Sequence, residues 1–247
     1  MDVILTTHNN LELTIECLKA LYSFTTAPFN LVIIDDSTDL TPQYLEQFAK
    51  EHGNVKIVYP GEKWTGGNTG WRIGLENSSD PIVVTMTNSS RVEPGWHIGP
   101  LQMLEQNPKV GLIGIKLLYP TGMIWHAGIQ FANHIPIHIG INEAAHRYSY
   151  AVPVPCVNHS VGFFRREALD KSLDEETYLG WKGFEDTDIN LTIRENGWHI
   201  WYCGEASAYH IESPTRIRGK DFWQEYNENL RRFIMKWHGK DHLFNGA

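Results

Sequence analysis

Short apolar runs alternate with helix-like segments along the first 90 residues, and this alternation constrains the fold more than any other feature. The runs VILT, LVIID, VKIV and IVVTM are separated by stretches with helical apolar spacing, capping residues or glycine. Parallel strands need a long crossover, usually a helix, so the pattern predicts βαβ units. We therefore expect an α/β fold with a mostly parallel central sheet flanked by helices. With no linker or repeat, the 247 residues are expected to form a single domain, residues 1–247.

Composition narrows the classes of function. A formal net charge of -8 argues against a general nucleic-acid-binding surface. The three cysteines lack metal-ligand spacing and are expected to be free thiols in a reducing compartment, which favours a cytoplasmic location. No apolar run is long enough to span a membrane, and the N-terminus lacks the basic region of a signal peptide. Any membrane association is expected to be peripheral at most.

The second half of the chain is less regular. Residues 121–155 are rich in His, Ile, Pro and Tyr without a clear period and are expected to form a substrate-facing hairpin and loop. The runs WHIWYCG and ASAYH predict two short strands, and DFWQEYNENLRRFIMKWHGK predicts a closing helix with one apolar face. The histidines of the irregular segment have no metal-binding spacing and are expected at the surface or near an acceptor: His126, His134, His138 and His146.

Two groups of acidic residues are candidate site residues. Asp35 and Asp36 end a buried strand, where a carboxylate can accept a hydrogen bond from a base or a ribose, or merely cap the following turn. Glu185, Asp186 and Asp188 cluster at a predicted helix start. The helix dipole alone explains most such clusters, but a carboxylate held there can also act as a general base.

A local basic cluster follows the last predicted strand. His210 ends that strand, and Arg216, Arg218 and Lys220 come within the next ten residues. Most basic loops are simply solvated, but in an acidic chain this cluster is a candidate for binding a phosphate-bearing ligand. The glycine-rich TGGNTG is not a P-loop, because no Gly-Lys-Ser/Thr follows it.

Taken in order, these motifs resemble the inverting glycosyltransferases of family 2, which have the GT-A fold, a Rossmann-like nucleotide-diphospho-sugar transferase domain. The resemblance rests on ILTTHNN, IIDDST, GGNTGWRIGL, VGFFRREALD and FEDTDINLTIRENGWHIWYCGEASAYH, and the last is the most specific. It implies a nucleotide-binding half, residues 1–90, and an acceptor-binding half with the C-terminal helix, residues 91–247. The implied donor is a nucleotide-diphosphate sugar, with hexosyl or deoxyhexosyl transfer to a glycan, glycolipid or protein.

The resemblance also assigns roles to residues. Asp186, with Glu185 beside it, would be the general base for the attacking acceptor hydroxyl. Trp181 and Asp188 would contact the acceptor, with residues 121–160. His210 matches a position that often binds a metal, and the basic loop would contact the diphosphate. The remaining residues would bind the nucleotide sugar: Thr6, Asp35, Asp36, Gly66, Gly67, Arg72, Asn88 and Ser89.

One motif departs from the family pattern. Family members carry Asp-x-Asp at the end of the fourth strand, where the carboxylates hold Mn²⁺ or Mg²⁺ on the diphosphate. Here Thr87, Asn88 and Ser89 occupy that segment. Neutral oxygens bind hard cations more weakly than carboxylates do, so we expect weak metal binding or none. Because the departing diphosphate still needs charge stabilisation, the basic loop is the expected substitute.

Two other readings are open. The missing acids favour a catalytically silent GT-A module that binds a glycan or a nucleotide, and turnover of a donor would separate it from an enzyme. A nucleotidyltransferase shares the βαβ start but normally needs metal-binding acids and a glycine-rich signature near the first strand, where this chain has TTHNN.

Overall fold

The computed structural model describes residues 1–61, 67–178, 183–211 and 220–245. Its first half follows the predicted alternation of strands and helices. The elements are β1 (Asp2–Thr7), α1 (Leu11–Phe24), β2 (Asn30–Asp35), α2 (Thr41–Glu51), β3 (Val55–Val58), α3 (Gly67–Glu76) and β4 (Ile82–Thr87).

Among the described residues, the second half adds eight strands and four α-helices. These elements are β5 (Ser90–Val92), α4 (Ile98–Gln106), β6 (Val110–Leu118), β7 (Ile124–His126), β8 (Ile129–Ala132), β9 (Ile135–His138), β10 (Ala151–Pro153), β11 (Val161–Arg165), α5 (Arg166–Asp170), α6 (Glu185–Glu195), β12 (His199–His210) and α7 (Lys220–Trp237). Within the described ranges, no helix is both long and apolar enough to cross a membrane.

One sheet contains strands from both halves, in the order β10-β12-β6-β11-β4-β1-β2-β3. The strands β4, β1, β2 and β3 pair in parallel, as do β6 and β12, while β11 runs antiparallel between these two groups. The short strands β5 and β7 pair with β12 and β6, and β8 and β9 form a separate hairpin. The predicted α/β fold with a mostly parallel central sheet is therefore confirmed.

Helices cover both faces of the sheet because alternate strand residues point to opposite sides. From β1, Val3 and Leu5 join the apolar cluster that includes Leu18 and Leu21 of α1. Ile4 points the other way, into the cluster that contains residues of α3 and α6. These side chains are completely buried, and each contributes on the order of 1.5–3 kcal/mol through removal from water.

The prediction of two short strands after α6 was wrong. All of ASAYH and all but the first residue of WHIWYCG lie in one strand, β12, which runs beside β6 and has a register shift between Cys203 and Ser207. The irregularity locally disrupts the ladder without ending the strand. His210 is the last residue of β12 and pairs with Ser90 of β5.

Candidate active site

The carboxyl ends of the parallel strands bring several predicted residues to one edge of the sheet. In the register of the sheet, Thr6 lies beside Thr87, and Thr7 lies beside Asp35. Open α/β sheets bind ligands outside this edge, where the loops leave the strands. The three segments that follow β1, β2 and β4 therefore form one candidate ligand-binding region.

The two acids that end β2 have different environments. Asp35 is buried, and its Oδ1 accepts hydrogen bonds from Thr7 Oγ1 at 2.5 Å and Ser37 Oγ at 2.6 Å. Its Oδ2 is buried with no hydrogen-bond partner among the described residues. Asp36 is half-exposed beside His8, and burial raises the pKa of its carboxyl despite the opposing effect of that histidine. An additional donor is required to satisfy Asp35 Oδ2, and a ligand N–H or O–H can supply it.

Asn88 connects this edge of the sheet to the loop after β1. Its Nδ2 donates to Asn9 O at 2.9 Å and contacts Thr14 Oγ1 at 3.0 Å. Asn9 and Asn10 both have left-handed backbone conformations, which asparagine tolerates better than most residues. The amide of Asn88 thus holds the TTHNN turn in place, so its side-chain donors are engaged within the protein.

A group of hydroxyls surrounds the imidazole of His210 beside the carboxyl end of β4. His210 Nδ1 lies 3.4 Å from Ser90 Oγ and 3.5 Å from Ser89 Oγ, and Nε2 lies 3.4 Å from Ser160 Oγ. Thr87 Oγ1 contacts both Ser89 Oγ and Ser90 Oγ. We call these five residues, Thr87, Ser89, Ser90, Ser160 and His210, the hydroxyl cluster.

The hydroxyl cluster fits a protein-held divalent metal poorly. It offers four neutral hydroxyls and one imidazole, whereas Mg²⁺ and similar hard cations are bound through carboxylates and substrate phosphates. Within the part of the chain that the structure describes, no group of three or more His, Cys, Asp or Glu residues has an arrangement that could hold a metal. His210 is the one imidazole that the cluster provides.

Asp186 lies in the first turn of α6, and the turn before it is tightly constrained. Gly183 and Phe184 both have positive φ, at 102° and 78°, and Phe184 packs its ring against Tyr226 and Phe233 of α7. A left-handed conformation is unfavourable for a bulky residue, so burial of this ring offsets the strain. The helix start that carries Asp186 is thereby anchored to α7.

The carboxylate of Asp186 is held by hydrogen bonds yet remains accessible. Its Oδ2 accepts from Asn158 Nδ2 at 2.9 Å and from the His159 backbone N–H at 3.2 Å. The side chain is 36% exposed, so a ligand can reach the carboxylate. Glu185 precedes it and is half-buried. An accessible, oriented carboxylate at a helix N-terminus has the geometry required of a general base.

The sequence did not predict that residues 158–160, here called the bridging segment, contact Asp186. The segment contacts Asp186 at one end, through Asn158 and His159, and places Ser160 in the hydroxyl cluster at the other. The Asn158 backbone N–H also donates to His126 Nε2 at 3.1 Å. His126 is fully buried, which excludes the surface, one of the two places expected for it, and leaves a place near an acceptor untested. These contacts join residues 27 to 50 positions apart, which no local pattern reveals.

A glycine in β6 allows the bridging segment to approach the sheet. A Cβ at Gly114 would lie 2.4 Å from Val157 Cβ, directly before Asn158. We expect Gly114→Ala to lower the free energy of unfolding by about 1–3 kcal/mol, since the core has no room for the methyl group. We also expect it to reduce turnover by displacing the segment. Chemical denaturation and donor turnover measure both effects.

Gly53→Ala provides the matched control, because nothing lies within 4 Å of a Cβ at that position. This variant should leave turnover unchanged. A Gly114→Ala protein with wild-type stability and turnover would show that Val157 can move without consequence.

Asp188 does not lie where an acceptor can reach it. Its side chain is fully buried and accepts hydrogen bonds from Tyr178 Oη at 2.8 Å, Trp237 Nε1 at 2.7 Å and Lys236 Nζ at 2.8 Å. Burial raises the pKa of its carboxyl, although the Lys236 ammonium acts in the opposite direction. We therefore assign Asp188 to the contact between α6 and α7 rather than to the acceptor site, correcting the prediction from sequence.

Some of the other predicted site residues contact neighbouring residues of the protein, and the rest lie outside the described residues. Thr6 is buried, and its Oγ1 lies 3.5 Å from Met86 O. Arg72 forms ion pairs with Asp170 and Glu175, so its guanidinium is already occupied by carboxylates. Gly67 begins α3. Gly66, Trp181, Arg216 and Arg218 lie outside the described residues, as does the side chain of Lys220.

Comparison with known proteins places most of the chain in one family profile. The profile described as Glycosyl transferase family 2 matches residues 2–173. The uncharacterized protein y4gI of Sinorhizobium fredii is 25% identical over 235 residues, which cover 87% of this chain and 25% of that protein. The O-antigen biosynthesis protein RfbC of Myxococcus xanthus is 26% identical over 172 residues, covering 61% of this chain and 13% of RfbC. The chain thus spans a quarter or less of the length of both relatives.

A solved structure shares the architecture. The crystal structure of GalNAc-T7 with UDP, GalNAc and Mn²⁺ matches with a TM-score of 0.74 at 13% sequence identity, covering 98% of this chain and 49% of that one. At this level of identity the likeness is one of fold. The predicted GT-A fold is confirmed by it.

Proposed function

The chain belongs to glycosyl transferase family 2, and from that membership we propose that it transfers a sugar from a nucleotide-diphosphate donor to an acceptor hydroxyl with inversion. The observation that carries the proposal is Asp186, an accessible carboxylate oriented by two hydrogen bonds at the start of α6. A general base needs both the lone pair and the fixed direction that this arrangement supplies.

In the proposed reaction, Asp186 takes the proton of the acceptor hydroxyl as its oxygen attacks the anomeric carbon. The bond to the nucleoside diphosphate breaks on the opposite face of the sugar, so the configuration inverts. The new glycosidic bond replaces the bond to phosphate, and the proton stays on the carboxyl until solvent removes it. Glu185 is the second candidate for the base because it precedes Asp186 in the same turn.

The nucleotide is proposed to bind at the carboxyl ends of β1 and β2. The buried, unpartnered Oδ2 of Asp35 and the half-exposed carboxylate of Asp36 support this placement, since each can accept from a ribose hydroxyl or a base N–H. UDP is the first candidate because the structurally similar GalNAc-T7 was solved with UDP. The transferred sugar is proposed to be a hexose or deoxyhexose.

The diphosphate is proposed to rely little on a metal. The hydroxyl cluster supplies no carboxylate where family members have two, so the charge of the leaving group must be balanced in another way. Arg216, Arg218 and Lys220 follow His210 within ten residues and can supply cationic donors to phosphate oxygens. A weakly bound Mn²⁺ or Mg²⁺, held mainly by donor phosphates, is the other possibility that the experiment below separates.

Calorimetric titration of UDP, dTDP and GDP, each in EDTA and in Mn²⁺, tests the metal dependence. We expect one nucleotide to bind in EDTA with an affinity that Mn²⁺ changes by less than about tenfold, or 1.4 kcal/mol. Binding that requires Mn²⁺ would contradict metal-independent recognition of the diphosphate. The double variant Arg216→Ala/Arg218→Ala should lose this binding, whereas Arg147→Ala, at an exposed arginine paired with Glu143, should retain it.

The acceptor is proposed to be a glycan or glycolipid, with a protein as the third class. The relation to RfbC, an O-antigen biosynthesis protein, supports a polysaccharide acceptor. Residues 121–160 are its proposed contact surface, because the bridging segment within them touches Asp186.

A cytoplasmic location stays a prediction, supported by three buried cysteines that are all free thiols.

A catalytically silent module is the competing function, and the loss of both metal-binding acids favours it. Incubation with nucleotide sugars, followed by measurement of the released nucleoside diphosphate, separates the two. Release that depends on Asp186 supports the enzyme. Tight binding of a nucleotide without any release supports the silent module.

A further inference from the structure

A buried histidine lies directly behind the proposed general base. His159 is 1% exposed, and its Nδ1 is 3.5 Å from Asp186 Oδ1. On the other side of the ring, Nε2 lies 2.9 Å from Asn190 Nδ2, on the next turn of α6. Its Nδ1 makes no hydrogen bond within ordinary limits among the described residues. The ring is therefore enclosed between the base and a second residue of the same helix.

The orientation of the Asn190 amide determines which ring nitrogen carries the proton. Asn190 Oδ1 accepts from the Val157 N–H at 3.0 Å, while Nδ2 donates to Val157 O at 2.9 Å and lies 2.6 Å from Asp186 O. A flipped amide would place its oxygen against two carbonyl oxygens, so the assigned orientation is favoured. The two hydrogens of Nδ2 have three acceptors within reach, and a proton on His159 Nε2 would face this NH2 group, so an unprotonated Nε2 is favoured.

A neutral ring with an unprotonated Nε2 carries its proton on Nδ1. Burial lowers the pKa of His159, which keeps the ring neutral, although Asp186 opposes that effect. Among the described residues, the titratable groups that act on the ring are Asp186 and His126, and burial also keeps His126 neutral by lowering its pKa well below the usual value. The ring N–H of His159 is therefore at Nδ1, the nitrogen 3.5 Å from Asp186 Oδ1, close enough for its dipole to act on the carboxylate without a full hydrogen bond.

Asn158 completes the arrangement from the same segment. Its Oδ1 accepts from the Ser160 N–H at 2.8 Å, which directs Nδ2 toward Asp186 Oδ2. The backbone N–H of His159 is the second donor to Oδ2, so this oxygen accepts two hydrogen bonds. Oδ1 is thus the oxygen with an available lone pair, and the proton of the acceptor hydroxyl would be transferred to it.

From this geometry we propose that His159 is a positioning residue of the general base, which holds Asp186 Oδ1 toward the acceptor through its Nδ1–H. The inference rests on the proposed function and adds a residue to it. Because the N–H dipole favours the ionised carboxylate, removing it disfavours the active form of the base. The distance of 3.5 Å is longer than a strong hydrogen bond, which leaves Oδ1 able to take the proton.

His159→Phe tests the proposal because it keeps an aromatic ring, slightly larger than imidazole, without the N–H. We expect turnover to fall by about tenfold or less, below the effect of a full hydrogen bond to a charged group, and the acid limb of the pH–rate profile to be displaced to higher pH. In His159→Asn, the amide nitrogen can take the position of Nδ1, so the acid limb should return toward that of the wild type. An acid limb that is the same in all three proteins would overturn the proposal.

His97→Phe is the matched control. His97 is also a buried histidine, 3% exposed, but it contacts Thr26 rather than the site. Its loss should lower stability without moving the acid limb. A displaced limb in His97→Phe would mean that general destabilisation causes the effect, and the proposal would fail.

Nitrogen-15 NMR of the imidazole rings provides a readout that needs no activity. We expect wild-type His159 to be protonated at Nδ1 alone, and Asn190→Leu to release this tautomer preference. A wild-type ring protonated at Nε2 overturns the proposal whatever the enzyme does. If the wild-type protein does not turn over a donor, the proposed function is contradicted. The protonation state of His159 in the NMR spectrum then tests the role of His159 without an activity measurement.

Discussion

Replacement of Asp186 with Asn is expected to reduce donor turnover by about 10²–10⁴-fold, the contribution that a positioned general base makes. The amide keeps the size of the carboxylate, and its oxygen can still accept from Asn158 Nδ2 and from the backbone N–H of His159. The fold should therefore be retained while the proton acceptor is lost. Release of nucleoside diphosphate from the preferred donor, with and without acceptor, measures the effect.

The control for charge lies on the same helix. Glu195→Gln removes an exposed carboxylate at the far end of α6, where it pairs with Lys240, and should turn over donor at the wild-type rate. Glu185→Gln tests the alternative base in the same turn. Full activity of Asp186→Asn combined with loss in Glu185→Gln would move the assignment to Glu185.

Asp188→Ala is expected to have the largest effect on stability, lowering the free energy of unfolding by about 3–5 kcal/mol. The variant leaves the Lys236 ammonium, Tyr178 Oη and Trp237 Nε1 without the carboxylate that they contact. Lys236 retains Asp174 Oδ2 at 2.7 Å, so we expect the loss at the lower end of this range. Chemical denaturation followed by tryptophan fluorescence and circular dichroism measures it.

An exposed ion pair serves as the comparison for Asp188. Glu167→Ala breaks the pair with Lys171 on the surface of α5 and should cost less than about 1 kcal/mol. The double variant Asp188→Leu/Lys236→Met replaces the buried pair with apolar groups and should recover part of the loss. If Asp188→Ala costs no more than Glu167→Ala, the buried contacts between α6 and α7 contribute little to stability.

Local sequence patterns predicted the elements that local forces form. The apolar runs that became β1, β2, β3 and β4 and the periodic segments that became α1 and α7 all lie where the sequence indicated. Their signals are short in range, because a strand or helix repeats every two or about 3.6 residues. The strand β12 was predicted as two pieces because its continuity depends on pairing with β6, a segment about 90 residues earlier.

The sequence by itself determined the fold class, the family and the chemistry available: acids after β2 and at the start of α6, and no acids after β4. Only the tertiary structure decided how these residues are used. It buried Asp188 and left Asp186 accessible, although the two are neighbours on one helix, since burial depends on which face meets α7. It also brought the bridging segment to the base, through hydrogen bonds between residues 27 and 28 positions apart. Such contacts depend on chain packing in three dimensions, which leaves no periodic signal in the sequence.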